Sequence, residues 1–228
     1  MKISELFYSI QGEGKLVGMP SVFVRASGCN LRCTWCDTPY ASWQPEGSET
    51  SIAQILEQAA AYPANHIVLT GGEPMIMPDI VALTEALRER YHITIETAAT
   101  VYQPVEMDLA SLSPKLSNST PTERERGRFA RSHEKTRLNV PVIQQFIDQA
   151  PEFQLKFVVS DEKDLREIDA LLSEVRGWKP EDVLLMPEGT DEPTLQSRTP
   201  WILEVCKQRG FRFCPRLHIS LYGNKRGT

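Results

Sequence analysis

Three cysteines fall within eight residues, Cys29, Cys33 and Cys36, in the run Gly28-Cys29-Asn30-Leu31-Arg32-Cys33-Thr34-Trp35-Cys36-Asp37, with the spacing C-x3-C-x2-C. Thiolates hold iron–sulfur clusters, and a 4Fe–4S cluster takes four ligands. Three local thiolates leave one iron with an open position, where a cosubstrate can bind. Zinc is the competing metal, but structural zinc sites usually present two ligand pairs. Here Cys206 and Cys214 stand far along the chain, separated by seven residues, and His66, His92, His133 and His218 are scattered. The odd cysteine count and the lack of a signal-like start also argue against a disulfide framework.

These cysteines need elements to hold them, and strand and helix patterns alternate after them. Pro20–Ala26 (PSVFVRA) is a β-rich run feeding into the cysteines. Ser51-Ile52-Ala53-Gln54 has the form of a capping box, and the helix it opens puts Ile52, Ile55, Leu56, Ala59 and Ala60 on one face. Strands are expected at His66–Thr70, His92–Thr97, Asp108–Ser113, Phe153–Val159, Val183–Met186 and from Phe211 to Pro215. Helices are expected at Pro78–Arg90 and Lys163–Val175, with a third opened by Thr199-Pro200 and stopped by Gly210. Alternation of this kind predicts βαβ units and a mostly parallel sheet. Their right-handed crossovers curl a sheet toward a barrel. A full eight-fold barrel takes about 250 residues, and this chain has 228. The α/β fold expected is therefore an incomplete, partial TIM-like (β/α) barrel, open on one side and forming one domain over residues 1–228.

Composition sets further bounds. Net charge is −5, which does not suggest direct nucleic-acid binding. No apolar run approaches the ~20 residues of a membrane helix, and the chain reads as cytoplasmic. One segment departs from the rest: residues 116–139 carry Arg124, Arg126, Arg128, Arg131, Lys135 and Arg137 without apolar periodicity. The expectation is a mobile, solvated loop, with a lid over the substrate as the other reading.

Chemistry-bearing residues collect where strands end, as sites do in a parallel barrel. Thr70-Gly71-Gly72-Glu73-Pro74, Glu96-Thr97 and Ser113-Pro114-Lys115 each close a strand. A GGEP string alone is weak, because strand-to-helix turns want glycine anyway. Combined with C-x3-C-x2-C, it resembles the radical S-adenosylmethionine superfamily. The resemblance implies a 4Fe–4S cluster on Cys29, Cys33 and Cys36, with S-adenosylmethionine on the open iron. One electron entering the sulfonium then gives methionine and a 5′-deoxyadenosyl radical. It implies cosubstrate contacts at Trp35, Cys36, Asp37, Gly72, Glu73, Glu96, Ser113, Pro114, Lys115, Met186, Pro187, Glu188 and Gly189, with Glu73 accepting from the methionine ammonium. Trp35 could instead simply pack the loop, and Lys115 could be a surface lysine.

Three further stretches narrow the resemblance: Phe7-Tyr8-Ser9-Ile10-Gln11-Gly12-Glu13-Gly14, Asp37-Thr38 after the last cysteine, and the tail Pro215-Arg216-Leu217-His218-Ile219-Ser220-Leu221-Tyr222-Gly223-Asn224. With Arg25 they are similar, over nearly the whole chain, to the 7-carboxy-7-deazaguanine synthase family of queuosine and 7-deazapurine biosynthesis. That family implies a ring-contracting lyase acting on 6-carboxy-5,6,7,8-tetrahydropterin, with hydrogen abstraction at C6 and loss of ammonia. It implies Mg2+ held by Thr38 and the substrate carboxylate, a homodimer, and a one-electron reductase such as a flavodoxin. Substrate contacts would be Ile10, Gln11, Gly12, Glu13, Arg25, Thr70 and His218. A carboxylate such as Glu13 can accept from the guanidine-like edge of a pterin, and Arg25 matches a carboxylate bidentately. The same residues have plainer uses: Gln11 and Glu13 in a turn, Arg25 in an ion pair, His218 in a strand. One departure stands out. Where the family has an ETxGT pattern, this chain has Glu96-Thr97-Ala98-Ala99-Thr100. The rivals are a glycyl-radical-type activating enzyme and, from another class, a zinc-stabilised binding module. Cys206, beside Ile202 and Val205, reads as plain core.

Overall fold

The computed structural model describes all residues from Met1 to Thr228. Nine strands form one sheet: β1 (Lys2–Ile10), β2 (Pro20–Ala26), β3 (Ser48–Glu49), β4 (His66–Gly71), β5 (His92–Thr97), β6 (Leu109–Leu112), β7 (Glu152–Val159), β8 (Val183–Pro187) and β9 (Arg212–Phe213). Their order is β3-β1-β2-β4-β5-β6-β7-β8-β9. β2 and β4 to β9 pair in parallel, and from β5 on every strand lies beside its predecessor, while β1 joins both β2 and β3 antiparallel. β3 and β9 are free edges, so the curled sheet does not close. The helices are α1 (Pro39–Ser42), α2 (Ile52–Ala60), α3 (Ile80–Leu87), α4 (Ala130–Thr136), α5 (Val140–Gln149), α6 (Asp164–Glu174), α7 (Glu192–Arg209) and α8 (Leu217–Tyr222).

Side chains alternate across a strand, and this alternation separates core from site. Val22, Val24, Ile67, Leu69, Ile93, Ile95, Leu155, Phe157, Val183 and Leu185 face the helices and form the main core with them. The intervening positions point inside the curl: Arg25 on β2, Thr70 on β4, Glu96 on β5, Ser111 on β6, Lys156 on β7 and Met186 on β8 all line one cavity. α2 starts with the expected capping box, Gln54 N donating to Ser51 Oγ (3.3 Å) and Ser51 N to Gln54 Oε1 (2.9 Å).

Several expectations change. β1 was not anticipated; it puts the glycine-rich N-terminal stretch in the turn between two antiparallel strands. α5 was also missed. The helix expected to open at Thr199-Pro200 begins at Glu192, with Asp191 Oδ1 accepting from Thr194 N (2.9 Å). Pro200 lies inside α7, and Thr199 Oγ1 already donates to Leu195 O (2.8 Å). The final strand is only Arg212–Phe213, and His218 sits in α8 rather than a strand. Residues 116–139, expected as an irregular loop, contain two 3-10 turns and α4. They pack on the cysteine loop and do not line the cavity, as a lid over substrate would. His133 is buried and makes the joint: its Nδ1 accepts from Arg32 N (3.2 Å), and its Nε2 lies 2.9 Å from Ser119 Oγ.

Candidate functional site

The cysteine loop is held by backbone bonds to the end of β4. Gly72 N donates to Ala26 O (3.1 Å), Glu73 N to Gly28 O (2.9 Å) and Gly28 N to Ala41 O (2.8 Å). Gly72 is required by closeness: an added Cβ would lie 2.0 Å from Gly28 O and 2.6 Å from Ala41 O. Trp43 Nε1 donates to Cys33 O (3.0 Å) and Thr34 N to Ser119 O (2.8 Å), fixing the loop from both sides.

Cys29, Cys33 and Cys36 all line a cavity of about 460 Å³. Burial pushes the Cys29 and Cys33 thiols up to about 12, the charge of Glu73 adding to it at Cys29 and that of Lys115 opposing it at Cys33. Such thiols become thiolates when a cation arrives. No three Cys, His, Asp or Glu side chains converge on a point that one metal ion could occupy. Three thiols along one loop suit a cluster of several irons, which takes each thiolate on a different metal atom.

Met186, Trp35, Ser113 and Lys115 line the cavity beside the thiols. Trp35 Nε1 donates to Asn118 O (3.1 Å), and Lys115 Nζ donates to Ser113 O and Oγ (both 2.7 Å). Glu73 departs from its expected role. It is fully buried and does not line the cavity; its carboxylate accepts from Thr97 Oγ1 (2.6 Å), Met75 N (3.1 Å) and Ala98 N (2.9 Å). Pro114, Pro187, Glu188 and Gly189 also stand outside the cavity wall. Glu188 is paired with Arg198, and Gly189 O accepts from Arg216 Nη1 (2.5 Å).

The other half of the cavity is charged. Gln11 Nε2 donates to Glu96 Oε1 (3.0 Å) and Thr70 Oγ1 to Glu96 Oε2 (2.8 Å), so Glu96 organises the inner wall. Glu13 meets Lys156 Nζ, Arg216 Nε (3.1 Å) and, farther off, His218 Nε2 (3.9 Å). Burial alone would raise the Glu13 carboxyl, but Lys156 and Arg216 outweigh it and hold it well below the usual carboxylate range. Asp37 is lowered the same way, its burial outweighed by Arg216. Burial lowers His218 despite the nearby Glu13. Gly12 makes room for that imidazole, since an added Cβ would lie 2.1 Å from His218 Nδ1. Arg25 lines the cavity with its Nε 3.5 Å from Glu5 Oε1, a buried nitrogen without a hydrogen-bond partner. Ile10 and Thr38 complete the wall at this end. Thr38 Oγ1 has one weak neighbour, Cys36 Sγ at 3.8 Å.

Sequence reasoning missed Lys156, Arg216, Tyr40 and Ser111, all of which line the cavity. Lys156 carried a readable signal: a lone lysine within the apolar run Phe153–Val159 must face a buried partner or a site. Arg216 stands two residues before His218 and was passed over for it.

A partial parallel barrel with a C-x3-C-x2-C loop and a glycine-glycine-glutamate turn at its strand ends defines a radical S-adenosylmethionine enzyme. The family profile described as "Radical SAM superfamily" matches residues 23–113. A 7-carboxy-7-deazaguanine synthase from Rhodopirellula baltica is 46% identical over 99% of this chain and 88% of the relative. One from Halobacterium salinarum is 44% identical over 98% of this chain and 91% of the relative. The crystal structure of QueE from Escherichia coli superposes with a TM-score of 0.71 at 27% identity, covering 95% of this chain and 94% of that one. The chain belongs to the 7-carboxy-7-deazaguanine synthase family. A 4Fe–4S cluster and S-adenosylmethionine follow from that membership. No helix is long and apolar enough to cross a membrane.

Proposed function

We propose that this chain converts 6-carboxy-5,6,7,8-tetrahydropterin to 7-carboxy-7-deazaguanine with loss of ammonia. The observation that carries the reading is one cavity lined by three thiols and by Glu13, Arg25 and His218 together. The thiols of Cys29, Cys33 and Cys36 would hold the cluster. A cluster held there would supply the one electron that cleaves S-adenosylmethionine, so that hydrogen could be taken from C6 of the substrate. Trp35, Ser113, Lys115 and Met186 would hold the cosubstrate, with Gly72 keeping the loop in place beneath it. Glu13, kept ionised by Lys156 and Arg216, accepts from the donor edge of the pterin, and neutral His218 bonds a ring heteroatom. Arg25 takes the substrate carboxylate, which would satisfy its unpartnered Nε. Burial of these groups excludes water and strengthens each contact.

Mg2+ belongs to the same proposal, with Thr38 as its protein ligand. The nearly unpartnered hydroxyl supports it, because Mg2+ keeps few protein ligands and takes the rest from water and substrate. A homodimer and a one-electron reductase complete it. Light scattering tests the former.

The deciding experiment is an anaerobic assay of iron-reconstituted protein with reductant, Mg2+, S-adenosylmethionine and the tetrahydropterin. Product is expected by mass spectrometry, and none from Cys33→Ala. Release of 5′-deoxyadenosine without 7-carboxy-7-deazaguanine would refute the substrate. Omitting Mg2+ is expected to lower the rate.

A further inference from the structure

Lys156 lines the cavity from β7 and is only 6% exposed. Burial would lower its ammonium, but Glu13 and Glu96 outweigh it and raise it, so the group stays charged. An ammonium carries three donors and no acceptor. One of the three goes to Glu13 Oε2, the one hydrogen-bond partner this ammonium has. The other anionic neighbours, Glu96 and Cys214, are already occupied. Glu96 accepts from Gln11 through Oε1 and from Thr70 through Oε2, and Cys214 Sγ accepts from Gly14 N (3.1 Å). Two donors of a buried cation are thus without a protein acceptor. Buried polar groups are almost always partnered. A ligand that fills this cavity must supply an acceptor here or leave the cation short of bonds.

The pyrimidine edge of a pterin carries a ring carbonyl, a ring N–H and an amino group side by side: acceptor, donor, donor. On the pterin reading Glu13 takes the two donors, so the carbonyl next to them needs a donor next to Glu13. Arg216, the other cation on Glu13, is already spent: Nε on Glu13, Nη1 on Gly189 O and Nη2 on Asp37. Lys156 is bonded to Glu13 and has donors left. We propose that Lys156 is a specificity-determining residue, which donates to the ring carbonyl and selects an oxo group over an amino group at that position. The inference rests on the reading of this cavity as a pterin site. An ammonium cannot accept, so an amino group there would set donor against donor. A site built on a hydrogen bond rejects a ligand that cannot make it far more strongly than an apolar pocket rejects a change of size.

The test measures binding by anaerobic calorimetry to the iron-loaded chain with S-adenosylmethionine present. One ligand is 6-carboxypterin, which is aromatic and has no hydrogen at C6 to abstract. The other is 2,4-diaminopteridine-6-carboxylate, which has an amino group in place of the ring carbonyl. The wild type is expected to prefer the oxo ligand by about a hundredfold, the worth of one bond to a charged group. In Lys156→Gln, whose amide accepts as well as donates, that preference should fall about tenfold or more. Equal binding of the two ligands by the wild type overturns the proposal, and this arm needs no variant to fold. A Lys156→Gln protein that keeps the full preference overturns it too. So does one that weakens both ligands alike, which would mark a lysine with a purely structural role. These outcomes leave the pterin reading standing. A wild type that binds neither ligand would instead refute that reading, and this proposal with it.

Discussion

Glu13 shows how single residues set the character of this cavity. A carboxylate alone in this position would take a proton, because burial disfavours the charged form. Lys156 and Arg216 reverse that balance. Arg216 in turn holds Asp37, beside the cysteine loop, through Nη2. Removing one partner of a buried pair leaves an uncompensated charge and typically costs about 3–5 kcal/mol. Lys156→Met is therefore expected to lower stability by roughly that amount in urea unfolding. Glu13→Gln combined with Lys156→Met should cost less than the sum of the two singles, with a coupling of about 1–3 kcal/mol. Additive losses would mean that Arg216 alone neutralises Glu13.

At the scale of elements, the parallel strands were legible because each is an apolar run bounded by a turn signal. β2, β4, β5, β7 and β8 fall within a residue or two of their expected limits. β1 was not legible: its inward and outward residues are both half-polar, since it runs along the open side of the curl. Site residues followed the same division. Those at strand ends, such as Thr70 and Glu96, could be placed by position. Glu73 could not, because whether a carboxylate faces a cavity or three local donors depends on the loop after β5, which folds back onto it. That loop also explains the departure at Ala99, which is buried with φ 55°, a left-handed conformation that favours glycine. Pro200 misled for a local reason: Thr-Pro is a good helix start, yet Asp191 supplies an earlier one. An interior proline removes a backbone hydrogen bond and crowds the preceding turn. Pro200→Ala is expected to stabilise the protein, by about 1–3 kcal/mol, seen as a rise in Tm. A fall would show that the packing of Ile202 and Cys206 needs the distortion proline causes.

Across the whole molecule, chain segments far apart in sequence close the side that the sheet leaves open. Leu217 N donates to Gly12 O (2.9 Å), so α8 is bound to the turn before β2. The polar interior continues below the cavity to His66, whose neighbours fix its state. Ser21 Oγ donates to Met19 O (2.9 Å), so it accepts from His66 Nδ1 (2.5 Å) and leaves Nε2 to accept from Thr94 Oγ1 (2.8 Å). A second proton on the ring would face a hydroxyl already arranged to donate. Burial lowers His66 to about 4, with His92 acting in the same direction and Asp108 against it. In the unfolded chain the same ring titrates near ~6.5. Between those values unfolding takes up a proton that the folded protein refuses. Stability is then complete above about pH 6.5 and falls toward pH 4 by up to about 1.4 kcal/mol per pH unit from this one group. His133, lowered to about 4 mainly by burial, adds to the same slope. Glu13 and Asp37, held low, join only in stronger acid. Urea unfolding at a series of pH values should thus give a steeper acid loss for the wild type than for His66→Gln. Equal slopes would mean that His66 is already charged in the folded protein and that its Nε2 donates to Thr94 Oγ1.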